Sequence, residues 1–153
     1  MIVSRSADYA LRAMVYLARL DSDRHVSANA IANEMHAPPF LLSRILQHLV
    51  KGELLTSMKG HHGGFRLLKR PEQVSLFEII QLIDGPFVMH DCTGIDCGLN
   101  HDCNLRGVFS KAESRLEDLF RSVTLAEVAL SRTNAPVLPR GGVAVQHTAR
   151  GVS

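Results

Sequence analysis

The chain has 153 residues, 46% of them hydrophobic, which is enough to bury one substantial core. No apolar run approaches the roughly 18 residues that a membrane span needs, and the polar N-terminus does not resemble a signal peptide, so we expect a soluble cytoplasmic protein. The formal net charge of +2 conceals a basic segment, residues 36–70, joined to an acidic one, residues 72–130, an asymmetry typical of proteins that bind a polyanion.

The first half of the chain predicts three helices. Apolar spacing predicts the first from about Ser6 to Leu20, with Ser6 as its N-cap. A second, short helix is predicted after Ser27. The side chains that this short helix should bury are Ile31, Ala32 and Met35. The third helix should begin at Pro39, because a missing N–H costs nothing in a first helical turn.

The third predicted helix has two chemically distinct sides. Its apolar stripe consists of Leu42, Ile45, Leu46 and Leu49. The opposite side is polar, contains no carboxylate, and consists of Ser43, Arg44, Gln47, His48 and Lys51. Because Arg and Gln can make bidentate contacts to guanine and adenine edges, we interpret this side as a DNA-recognition surface rather than an ordinary solvated face.

A short β-hairpin is predicted directly after the third helix, with strands at 54–58 and 65–68. Its turn contains three glycines, which permit the positive φ angles of a tight, exposed tip. The residues of this hairpin that we expect to contact DNA are Lys59, His61, His62 and Arg66. Helix and hairpin together predict a winged helix-turn-helix from about Ser27 to Arg70, in a mainly α fold with a small β-hairpin.

The second half of the chain predicts three further helices. Ser75 and Glu78 form a capping box that begins the first of them, and Asp84-Gly85-Pro86 should end it. Its predicted buried residues are Leu76, Ile79, Ile80 and Ile83. A long helix is predicted from about Leu105 to Val123, and a second capping box, Thr124 with Glu127, begins a last short helix.

The long helix carries a regular apolar seam. Its members are Leu105, Phe109, Ala112, Leu116, Leu119 and Val123. The heptad-like spacing favours contact with a second copy of the chain over packing back onto the same domain. The predicted organisation is a winged helix-turn-helix domain at 1–86, a cysteine-containing loop at 87–104, a dimerisation helix and short helix at 105–132, and a disordered tail at 133–153.

Three cysteines, Cys92, Cys97 and Cys103, lie in a segment without helical or strand periodicity. An odd number of cysteines in a short cytoplasmic chain indicates metal or redox chemistry rather than a disulfide framework. The wide spacing favours an iron–sulfur cluster over a structural zinc site, although cysteines that merely fill space are an alternative. Candidates for a fourth ligand nearby are His90, Asp91, Asp96, His101 and Asp102.

The sequence resembles the bacterial winged-helix regulators that bind iron–sulfur clusters, a family that includes NsrR and IscR. The resemblance covers residues 1–130 and rests on the opening segment 8–13, the leucine-rich third helix, the segment 59–67 and the three cysteines. The cysteine spacing and Asp8 are similar to the nitric-oxide-sensing NsrR branch. The IscR branch has a histidine ligand where this chain has Arg106, whose guanidinium cannot ligate.

The resemblance implies a homodimeric repressor whose 4Fe–4S cluster, favoured over 2Fe–2S, is held by Cys92, Cys97 and Cys103 of one chain and by Asp8 of the partner subunit. Arg12, one turn beyond Asp8, would orient this carboxylate, unless the two form only a surface ion pair. Nitrosylation of the cluster by nitric oxide would release a palindromic operator.

Three alternatives stay open at this level. The same fold could sense iron or cluster supply and regulate cluster-assembly or iron-uptake genes. A more distant alternative is a zinc or thiol-redox protein that uses the cysteines without iron. An enzyme is disfavoured, because the sequence contains no Ser/His/Asp set, phosphate-cradling loop or second cofactor motif.

Overall fold

The computed structural model describes residues 3–20, 24–60, 63–88 and 103–131. Within these ranges the elements are α1 Arg5–Ala18, α2 Ala28–Glu34, α3 Pro39–Lys51, β1 Leu55–Met58, β2 Gly64–Leu67, a 3-10 helix Pro71–Gln73, α4 Leu76–Asp84, α5 Asn104–Ser122 and α6 Leu125–Leu130. The mainly helical fold with a small hairpin confirms the predicted fold class. The predicted disordered tail at 133–153 lies outside the described residues.

The start of α1 differs from the prediction, because Ser4 and not Ser6 is its N-cap. The Ser4 hydroxyl oxygen accepts a hydrogen bond from the Ala7 N–H at 3.1 Å. The Asp84 carboxylate accepts hydrogen bonds from the Ser4 hydroxyl and, at 2.9 Å, from the Ser4 N–H. A residue 80 positions away in the sequence therefore selects between the two serines and ties the start of α1 to the end of α4.

The core is built around α1 and α3. The buried residues of α1 are Ala7, Ala10, Ala13, Met14 and Leu17. Small alanine side chains let α1 pack against α3, α4 and α6. The buried residues of α3 are the four predicted ones, Leu42, Ile45, Leu46 and Leu49. Each such side chain contributes roughly 1.5–3 kcal/mol when buried, which fixes the rotation of α3 and keeps its polar side outward.

The hairpin is joined to the segment before α2. Leu55 pairs with Leu67, and Met58 pairs with Gly64. Val26 and Phe65 exchange backbone hydrogen bonds of 2.9 and 2.8 Å. Gly64 has φ +148°, and a Cβ there would lie 2.3 Å from the Val26 carbonyl oxygen. Glycine at this position therefore serves the close approach of two backbone segments, not only the turn.

Both hydrogen bonds of the predicted α4 capping box are present. The Ser75 hydroxyl accepts from the Glu78 N–H at 3.2 Å, and the Glu78 carboxylate accepts from the Ser75 N–H at 2.8 Å. The predicted buried side was partly wrong, since Phe77 is buried whereas Leu76 and Ile83 are half-buried. Phe77 is covered by α5, whose Arg121 guanidinium carbon lies 3.6 Å from the ring centroid.

Two smaller findings complete the fold. Met35, predicted to be buried, is a half-buried C-cap residue of α2. Within the described ranges, no helix combines the length and the apolar composition that crossing a membrane requires.

Candidate nucleic-acid interface and cluster ligands

The polar side of α3 lies on the surface, as the sequence predicted. Four of its five members are exposed and Ser43 is half-buried. All five line an open recess together with Phe40, a residue that is 77% exposed. Within the described residues, neither Arg44 nor Lys51 has a carboxylate at ion-pair distance. Their charges are therefore available for an external anion such as a DNA phosphate.

The hairpin residues are distributed over two places. Lys59 is exposed at the end of β1, and its neighbours His61 and His62 lie outside the described residues. Arg66 lies in a cleft lined also by Arg24, Lys69 and Arg70, separate from the α3 recess. Its Nε atom is buried and has no hydrogen-bond partner in the part of the chain that the structure describes.

Asp8 and Arg12 form the predicted pair on α1. Arg12 Nε donates to Asp8 Oδ1 at 2.9 Å, and the two side chains are 62% and 43% exposed for Arg12 and Asp8 respectively. The other carboxylate oxygen, Oδ2, has no partner among the described residues. Among the described residues, Asp8 thus has one unpaired carboxylate oxygen at the surface of α1, beside the Arg12 guanidinium one turn away.

Of the three cysteines, Cys103 is the one within the described ranges. It is half-buried, forms no disulfide, and directly precedes α5. Cys92 and Cys97, and the alternative ligands His90, Asp91, Asp96, His101 and Asp102, lie outside the described residues. Among the residues that the structure does describe, no three His, Cys, Asp or Glu side chains come together.

The donor chemistry of Cys103 and Asp8 fits an iron–sulfur cluster. Cys103 supplies a sulfur that is not consumed by a disulfide, and Asp8 supplies a surface carboxylate oxygen. Thiolates are the usual ligands of such clusters, and a carboxylate oxygen is a harder and more readily displaced ligand for iron. Arg106, which follows Cys103 in the first turn of α5, supplies no donor atom to a metal.

The long helix α5 is weakly covered. None of its 19 residues is buried. Leu105 and Val108 are 60% and 62% exposed, and the sequence prediction missed Val108 although it lies three residues after Leu105. Toward its other end α5 packs on its own domain, where the rings of Phe120 and Phe87 meet edge-on at a centroid distance of 6.0 Å.

Comparison with known proteins connects this arrangement to a family. The model of the Rrf2 family, described as iron-dependent transcriptional regulators, matches residues 3–130. The chain belongs to the Rrf2 family. The resemblance noted from the sequence is thereby confirmed, and an Rrf2 protein is a DNA-binding transcriptional regulator and not an enzyme.

Two curated relatives of this Rrf2 protein span most of its length. An rrf2-like HTH-type transcriptional regulator of Rhodobacter capsulatus is 31% identical over 137 residues, which is 83% of this chain and 91% of that protein. The HTH-type transcriptional regulator NsrR of Bacillus licheniformis is 27% identical over 135 residues, covering 86% of this chain and 94% of its own.

Solved structures show the same fold. CymR of B. subtilis, described as a global cysteine regulator, superposes with a TM-score of 0.71 at 21% identity, covering 84% of this chain and 96% of its own. IscR of T. potens superposes with a TM-score of 0.65 at 24% identity, covering 84% and 85% of the two chains.

Proposed function

We propose that this Rrf2 protein is a homodimeric repressor whose affinity for operator DNA is controlled by a 4Fe–4S cluster that senses nitric oxide. The observation that carries the proposal is the Asp8 carboxylate oxygen that is unpaired among the described residues, on the surface of α1, in a chain that also contains Cys92, Cys97 and Cys103. Relatives named NsrR at 27% identity support the same reading.

DNA would be bound by the polar side of α3 and by the hairpin. In helix-turn-helix proteins the N-terminal part of the recognition helix contacts base edges in the major groove, while a wing contacts the flanking backbone. The proposed contact residues are Ser43, Arg44, Gln47, His48 and Lys51 on α3, and Lys59, His61, His62 and Arg66 on the hairpin. Two winged helix-turn-helix domains related by twofold symmetry match a palindromic operator.

The homodimer would form along α5. A 19-residue helix without buried residues, with Leu105 and Val108 more than half exposed, leaves an apolar side uncovered in the single chain. Such a side gains free energy when a second copy removes it from water. Of the predicted seam, five members lie on α5 and only Leu105 among them is exposed, whereas the sixth, Val123, follows the end of α5 and is buried in its own chain.

The cluster would be held by Cys92, Cys97 and Cys103 of one subunit and by Asp8 of the partner subunit. When bound, it supplies iron atoms that react with nitric oxide. Arg12 holds the Asp8 carboxylate in one orientation through the 2.9 Å hydrogen bond. While Asp8 is bound to the cluster of the partner subunit, α1 would be fixed relative to that subunit.

Release of Asp8 from the cluster would change the DNA-binding surface, because the resulting displacement of α1 is passed to α3 through the core. α1 packs directly against α3, so a shift of α1 changes the position of the recognition helix. A changed distance between two recognition helices no longer matches two half-sites at fixed spacing on DNA. Losing a few phosphate contacts in this way lowers affinity by orders of magnitude and in a salt-dependent manner.

The test is a nitric oxide titration of anaerobically purified protein, followed by absorbance and by operator gel shift on the same samples. We expect the absorbance change and the loss of DNA binding to occur together. Asp8→Ala removes the proposed fourth ligand and should make the cluster more labile. Its control is Glu72→Ala, which removes an exposed carboxylate on the 3-10 helix and should behave as wild type. Unchanged DNA binding after complete reaction with nitric oxide would contradict the sensing mechanism.

A second candidate function is control by iron or cluster supply. The family description as iron-dependent regulators favours it. In that case removal of the cluster with a chelator, without nitric oxide, should release the operator as completely as nitric oxide does. The occupied promoters would then belong to cluster-assembly or iron-uptake genes.

A further inference from the structure

Phe40 is an apolar residue in the middle of the polar side of α3. It is the second residue of the helix, and its side chain is 77% exposed. At 100° per residue, Phe40 lies within about 20° of Gln47 and Lys51 around the helix axis, and the buried stripe lies on the opposite side.

The free protein leaves this ring in water. Phe40 lines the recess together with Ser43, Arg44, Gln47, His48 and Lys51, and it remains 77% exposed there. The ring can therefore gain from burial when α3 enters a complex. In the docking geometry of helix-turn-helix proteins, the first residues of the recognition helix lie closest to the base edges, which is where Phe40 stands.

The major groove contains one apolar group that such a ring can contact. This group is the C5 methyl of thymine, because the other base edges present hydrogen-bond donors and acceptors. We propose that Phe40 is a specificity-determining residue that contacts a thymine C5 methyl group in each operator half-site. The inference rests on the DNA-binding part of the proposed function and is independent of the cluster.

The experiment replaces thymine by deoxyuridine, which removes the methyl group and keeps every hydrogen-bonding atom. The duplex is selected from a random-sequence pool by the wild-type, anaerobically purified full chain. Each thymine of a half-site is then replaced in turn, and affinity is measured by fluorescence anisotropy at one salt concentration. We expect wild type to lose affinity about fourfold at one position, the value for burial of one methyl-sized group, and about fifteenfold when both half-sites are changed.

Phe40→Ala is the test variant. Because the side chain is mostly exposed, this change should leave the melting temperature nearly unaltered. The variant should bind the thymine duplex at least as weakly as wild type binds the uracil duplex, because the whole ring is lost, and it should no longer respond to deoxyuridine at that position. Leu130→Ala, which truncates an 80% exposed residue on α6, is the matched control and should keep the full response.

Two results would overturn the inference. One is a wild-type protein that tolerates deoxyuridine at every position, and the other is a Phe40→Ala variant whose response equals that of wild type. Failure to select any duplex would overturn this inference and the DNA-binding part of the proposed function together. A normal deoxyuridine response combined with insensitivity to nitric oxide would overturn the sensing mechanism alone.

Discussion

Asp84→Ala removes the link between the start of α1 and the end of α4. The Asp84 carboxylate accepts two hydrogen bonds from Ser4, one of them from the N–H at 2.9 Å. Hydrogen bonds to charged groups contribute about 1.5–3 kcal/mol each, and partial burial of this pair places both at the lower end of that range or slightly below it. The variant should therefore lose about 2–3 kcal/mol of unfolding free energy.

The assay is thermal unfolding followed by circular dichroism at fixed protein concentration. A chain of this size loses about 2–4 °C per kcal/mol, so Asp84→Ala should melt about 4–12 °C below wild type. Asp84→Asn keeps one accepting oxygen and should show about half of that loss. Ser4 also caps α1, and the change is therefore expected to weaken the helix that carries Asp8.

The control is Glu117→Ala, which removes the carboxylate that pairs with Arg121 at the surface of α5, where the Glu117 side chain is 33% exposed. An exposed pair one turn apart contributes about 0.3–0.5 kcal/mol, so this variant should melt within about 2 °C of wild type. If Asp84→Ala melts as close to wild type as the control does, the hydrogen bonds between Ser4 and Asp84 do not stabilise the fold.

Three further predictions concern the hairpin, the interface and the dimer. Gly64→Ala places a Cβ 2.3 Å from the Val26 carbonyl oxygen. Urea unfolding should therefore show a larger loss of unfolding free energy than for Gly60→Ala, where φ is +109° but no atom lies within 4 Å of the added Cβ. Equal losses for the two variants would contradict this prediction. Lys51→Gln should lower the slope of log affinity against log salt by about one, and an unchanged slope would place Lys51 off the DNA. Leu105→Asp combined with Val108→Asp should give a monomer in light scattering, whereas a retained dimer would move the interface elsewhere.

The sequence predicted best those elements whose pattern is local. The apolar stripe of α3 is determined by helical periodicity, and the structure buries its four members as expected. The same holds for the α4 capping box, because Ser75 and Glu78 are only three residues apart. The polar side of α3 followed directly from the position of the buried stripe.

Features that depend on distant residues were not predictable in this way. Ser4 replaces Ser6 as the cap of α1 because Asp84 binds it, and Phe77 is buried because α5 covers it. Arg66 lies in a different cleft from the α3 residues, since its neighbour Phe65 forms backbone hydrogen bonds with Val26 in the segment before α2. The exposure of Phe40 was not predicted, because phenylalanine side chains are more often buried than exposed.

The content of iron and acid-labile sulfide in anaerobically purified protein decides whether the three cysteines hold an iron–sulfur cluster. We expect about four of each per chain in wild type, as a 4Fe–4S cluster requires. Asp8→Ala should still acquire them through the three cysteines, but should lose them faster to a chelator. Iron without sulfide, zinc in place of iron, or equal rates of loss in wild type and Asp8→Ala would contradict a cluster held by Cys92, Cys97, Cys103 and Asp8 of the partner subunit.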